Sequence, residues 1–94
     1  MSNTTPPPVY TLPTIHLNGT GAQSLADEYL AVYQAIDRAS DALAGATCNA
    51  RDFYPQEPGA YARAMSQRYE AFRKLREVQA YAQAWIERAS DHLL

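Results

Sequence analysis

At 94 residues, 47% of them apolar, the chain has enough hydrophobic material for one modest core and is not compositionally disordered. Eight Lys and Arg against ten Asp and Glu leave a net charge of −2, too mild to draw the protein onto DNA, RNA or an anionic membrane. Nucleic-acid polymers and membranes are therefore not expected partners. A single cysteine, Cys48, forbids an intramolecular disulfide and suits a reducing cytoplasm. No apolar run reaches the roughly 20 residues of a membrane span, and the start Met1-Ser2-Asn3-Thr4-Thr5 lacks a signal peptide's basic and apolar regions. A cytoplasmic protein is expected.

Residues 1–19 read as an extended, Pro-rich arm, and residues 20–94 as a helical hairpin domain. Four of the six prolines, Pro6, Pro7, Pro8 and Pro13, lie in the arm. Proline fixes φ and removes a backbone donor, so Pro6 to Pro8 should be extended. Val9, Tyr10, Leu12, Ile15 and Leu17 are too apolar for water, and Pro13 interrupts any helix through them. They are expected to pack across the helices. Asn18-Gly19-Thr20-Gly21 then turns the chain.

The first helix is predicted from an N-cap at Thr20 or Ser24 to Ala44 or Gly45. Its apolar seam runs Leu25, Tyr29, Val32, Ile36, Ala39, Leu43, at alternating spacings of four and three. A polar connection follows. The second helix should begin between Pro58 and Ala60, where proline is tolerated in a first turn. Its seam is Tyr61, Met65, Arg68, Phe72, Leu75, Gln79, Ala82, Ile86, Ala89, Leu93, beside a second row of Ala64, Ala71, Val78 and Trp85. The fold class is therefore all-α, an antiparallel helical hairpin with an extended N-terminal arm.

The helices should span about 32 Å and about 50 Å at 1.5 Å per residue. If Leu43 lies level with Tyr61, and Leu25 with Gln79, then Trp85, Ile86, Leu93 and Leu94 overhang the first helix. Burying a large apolar side chain contributes roughly 1.5–3 kcal/mol, so such an overhang calls for the arm and a second subunit as cover. A homo-oligomer is expected, most simply a twofold dimer.

Each candidate site residue has a functional and a structural reading. Arg51 could grip phosphate or carboxylate through its planar fork, with Asp52 beside it; alternatively the two organise the loop by pairing with backbone and each other. Phe53 and Tyr54 could stack on a base or plug the end of the hairpin. His16, Asn18 and Thr20 could form a polar wall, although a lone histidine between Ile15 and Leu17 is commonly a structural hydrogen-bonder. Arg68 occupies a seam position, where it could pair with Asp37 and Asp41 or bind phosphate in a cleft lined by Tyr33, Tyr61 and Tyr69. Arg73, Lys74 and Arg76, with Glu70 and Glu77 at helical offsets, read as a solvated face. Catalysis is not indicated: there is no His–carboxylate pair of recognisable spacing, no Cys–His metal signature, no phosphate loop and no nucleophile elbow. No cofactor or metal is expected.

His16-Leu17-Asn18-Gly19-Thr20 followed by a helix, then Asn49-Ala50-Arg51-Asp52-Phe53-Tyr54-Pro55-Gln56 before a second helix, resembles an uncharacterised family of small phage and prophage proteins. The likeness covers about residues 14–90. That family carries Tyr where this chain has Phe53, so no hydroxyl is carried over there. In layout, though not in motifs, the chain is also similar to phage helical-hairpin proteins that sequester nucleotide second messengers of bacterial immunity, which are non-catalytic oligomers with pockets between subunits. The resemblance implies a binding protein that takes a small phosphorylated nucleotide signal away from a host effector. Its ligand residues are expected among His16, Asn18, Thr20, Arg51, Asp52, Tyr54, Arg68 and Tyr69. The alternative is a protein-interaction module that inhibits a host protein or assists phage assembly.

Overall fold

The structure is a computed structural model that describes residues 9–93. Pro6 to Pro8 and Leu94 lie outside the described residues. Two helices pack as an antiparallel hairpin: α1, Ala22–Gly45, and α2, Ala60–Leu93, joined by a segment holding a short 3-10 helix at Ala50–Phe53. Among the described residues there is no strand.

Neither Thr20 nor Ser24 caps α1. The N-cap is Gly21, in an extended conformation with no side-chain cap, and its carbonyl accepts from the Leu25 amide at 3.1 Å. Burial sets this start: Ala22 and Leu25 are both buried, packing with Ala89 of α2 and with Ile15 of the arm. The Gln23 side chain donates forward to Asp27 at 2.8 Å.

The seam of α1 lies one residue to the side of the expected one at alternate turns. Tyr29, Ile36 and Leu43 face α2 as anticipated, but Tyr33 and Ser40 are half-buried where Val32 and Ala39 were placed, and Val32 is 40% exposed. Both sets alternate by three and four, so periodicity does not choose between them. The choice is made by α2, whose Gln79 side chain donates to the Tyr33 carbonyl at 3.2 Å and to the Asp37 carboxylate at 2.7 Å. The α2 seam follows its expected line, except that Leu93 is exposed; in the second row Val78 is exposed.

The register differs more. Leu43 faces Arg68 instead of Tyr61, and Tyr29 faces Trp85, a slide of about two to three helical turns from the expected pairing. The slide arises because the connection does not turn back at once. Residues 46–59 run on past α1 and return beside the first turns of α2, where Phe53 meets Tyr61 with ring centroids 5.8 Å apart. The far end of α1 consequently reaches Trp85 and Ala89, and the expected overhang at Trp85 and Ile86 does not exist. Both are at least half-buried within one chain, and the case for a second subunit built on them falls.

The buried apolar residues are Ala22, Leu25, Ala60, Ala82 and Ala89, with Ala82 and Ala89 wholly excluded from solvent. Small side chains let the two backbones approach closely, and the larger residues flank that contact half-buried. No large side chain is fully buried among the described residues.

Candidate functional site

The sequence-predicted site residues fall into three groups on the hairpin. The first is the turn before α1. The Gly19 amide donates to the His16 carbonyl at 3.1 Å, and the imidazole folds back over Gly19 so closely that a Cβ there would sit 2.8 Å from His16 Nε2. A side chain at position 19 would therefore make the exposed imidazole swing aside. The turn borders a shallow hollow of about 470 Å³ between Ile15, His16, Gly21, Ala22 and His92. Asn18 and Thr20 are exposed beside it.

The second group is the 3-10 helix, at the other end of the hairpin. The Asp52 amide donates to the Asn49 carbonyl and the Tyr54 amide to that of Arg51, at 3.1 and 3.4 Å. These bonds tighten the turn through backbone alone. Phe53 is half-buried against Tyr61, whereas Tyr54 is 76% exposed, so one aromatic plugs the hairpin end and its neighbour faces solvent. Arg51 and Asp52 are exposed, and the Arg51 guanidinium donates no hydrogen bond among the described residues. The expected mutual pairing of Arg51 and Asp52 is not present there. A hollow of about 410 Å³ lies beside the turn, bordered by Phe53, Tyr54, Glu57 and Tyr61.

The third group is Arg68 with Tyr69. Arg68 pairs with neither Asp37 nor Asp41. Its Nη2 donates to the Leu43 carbonyl at 2.7 Å and to the Ala44 carbonyl at 3.1 Å, and its guanidinium carbon lies 5.5 Å from the Phe72 ring centre. Asp37 is taken by Gln79 instead. The expected tyrosine cleft does not form: Tyr33 sits beside Gln79 and Tyr61 against Phe53, leaving a groove of about 160 Å³ between Met65, Arg68, Tyr69 and Phe72.

These groups are not one site within a protomer. The 24 residues of α1 separate the His16 turn from the Arg51 loop, about 36 Å at 1.5 Å per residue. No small ligand touches both in a single chain.

A fourth cluster escaped the sequence reading. Tyr29 stacks on Trp85 with centroids 4.4 Å apart, Tyr81 meets both edge-on or tilted, and Tyr10 of the arm meets Tyr81 at 5.2 Å. Arg88 Nη1 straps the arm down by donating to the Pro13 carbonyl at 3.0 Å. Tyr10, Glu77, Val78 and Tyr81 border a groove of about 410 Å³ there. Tyr81 and Trp85, four apart on α2, were the available signal, but only the correct register brings Tyr29 to them. Burial, and then the neighbouring Tyr81 hydroxyl, raise the Tyr29 pKa above the ordinary tyrosine value.

The basic turn of α2 is a solvated face, as anticipated: Arg73 bonds Glu70 at 2.9 Å and also pairs with Glu77. The bond from Arg73 lowers the Glu70 pKa. Among the described residues no three His, Cys, Asp or Glu side chains converge as a metal site, and no helix is long and apolar enough to cross a membrane. Of these candidate groups, the Arg51 guanidinium and the Tyr54 ring face solvent. Comparison with protein-family models, curated proteins and solved structures gives no match.

Proposed function

We propose that this chain is a phage-derived, non-catalytic binding protein that sequesters a small phosphorylated nucleotide signal in the host cytoplasm, and so blocks antiviral immunity. The observation that carries the reading is the Ala50–Phe53 turn, which presents Arg51, without a hydrogen-bond partner among the described residues, next to an exposed Tyr54. A guanidinium suits phosphate and a phenol ring suits a base. The motif likeness at residues 16–20 and 49–56 supports the phage origin, and the likeness in layout to nucleotide-sequestering hairpins supports the ligand class. The working unit in this reading is a homo-oligomer, because His16, Asn18 and Thr20 could join Arg51, Asp52 and Tyr54 on one ligand only across two copies.

The test is to incubate the purified protein with an extract containing nucleotide signals, re-isolate it, denature it and identify released molecules by mass spectrometry. Stoichiometric release of an unaltered nucleotide is expected. Release of none, or of a chemically processed one, overturns the reading. A second reading, a protein-interaction module that inhibits a host protein or assists phage assembly, is favoured by the exposed Leu30, Val32 and Val78 on a hairpin with no large side chain fully buried among the described residues.

A further inference from the structure

We infer that Arg68 is a positioning residue, which holds the end of α1 and thereby sets where the Arg51–Tyr54 loop departs. The last carbonyls of a helix have no partner within it and carry partial negative charge. In α1 the last turn contains no basic residue, and among the described residues the one backbone closure is the Ala46 amide on the Leu43 carbonyl at 3.1 Å. The missing donor comes from the other helix. Nη2 of Arg68, half-buried on the α2 seam, bonds the carbonyls of Leu43 and Ala44 together. A charged donor makes such bonds stronger than neutral ones.

The geometry also bears on what Arg68 does not do. Two-pronged recognition of a phosphate uses N–H groups from two adjacent guanidinium nitrogens, and either edge that includes Nη2 needs that nitrogen. With Nη2 committed to two carbonyls, neither edge is free. Five residues beyond Gly45 the 3-10 helix begins, so the staple fixes the root of the segment that carries Arg51, Asp52 and Tyr54. Cys48, half-buried and the chain's one thiol, lies within that segment and reports on it.

The inference rests on the loop being the binding region, but its test needs no ligand and so fails independently of that reading. Amide hydrogen exchange and the rate of Cys48 alkylation by iodoacetamide are compared in the wild type, Arg68→Met and Arg68→Lys. Met keeps the apolar stem and loses the donors; Lys keeps a cation able to reach one carbonyl. Arg68→Met should speed exchange over residues 44–53 by about tenfold or more, with Cys48 alkylation rising in step, while the Tyr29–Trp85 end stays protected. Arg68→Lys should recover part of that protection. Unchanged exchange at residues 44–53, or an equal rise at both ends of the hairpin, overturns the inference. Should Arg68→Met instead lose nucleotide in the release assay with loop exchange unaltered, Arg68 is a direct ligand contact.

Discussion

The two ends of the hairpin are held by different forces. At the arm end, four aromatic rings from three segments pack together over a broad contact. At the loop end, a guanidinium bonded to two carbonyls does the holding, and one ring pair, Phe53 against Tyr61, closes the gap. An aromatic cluster resists loosening because area must be re-exposed to water. A hydrogen-bonded staple yields once its donor is diverted, so the loop end is the easier of the two to loosen.

Trp85→Ala is expected to have the largest effect, about 3 kcal/mol of stability by denaturant titration, at the lower end for an aromatic truncated in a core because Trp85 is only half-buried. A cost below that of loop substitutions would reverse the comparison. Gly59, at φ +94°, has the one positive φ among the described residues and turns the chain into α2. Gly59→Ala should cost about 1–2 kcal/mol, since a Cβ disfavours that conformation. Were the loss near zero, the connection would be yielding where it is drawn as rigid.

The next effect depends on pH. A tyrosine whose folded pKa is raised contributes stability that is whole below its unfolded value of about 10 and is lost as pH rises through the folded one. Alkaline unfolding should therefore begin above that value, and Tyr29→Phe should flatten it; an identical alkaline limb in the variant would remove Tyr29 from the account. Smallest in stability is Arg51→Ala, within about 0.5 kcal/mol for an exposed side chain. In the release assay the same variant should lose bound nucleotide. Unchanged capture with a large fall in melting temperature would return Arg51 to a structural role.

Much of this was readable from residues. Alternating spacings of three and four located both helices, and Pro58 with Ala60 marked the start of the second. Arg68 stood out as a charged residue on an apolar seam, and it proves to bond across the helix pair, as does Gln79 of the same seam, which had not been singled out. Register was not readable. It depends on how far residues 46–59 travel before α2 begins, which no periodicity encodes, and the error carried Trp85 from covered to overhanging. The caps misled for a related reason: Thr20 and Ser24 have the right chemistry, but packing of Ala22 and Leu25 on Ala89 decides where the helix starts. The three groups of candidate residues lie apart for the same geometric cause, since a motif's neighbours in sequence say nothing about which end of a long helix it occupies.

Ala82 and Ala89 look like filler, the residues most easily exchanged on a helix. Their complete exclusion from solvent gives them the opposite standing. A methyl group in that contact has no room to become a larger one without driving the helices apart. Natural variation in sequences of this kind should therefore spare these two alanines while the more conspicuous Val9, Leu17 and Tyr69, all widely exposed, drift freely unless a partner restrains them. Which of those exposed positions fails to drift would then mark, from sequence comparison alone, the surface that the protein uses.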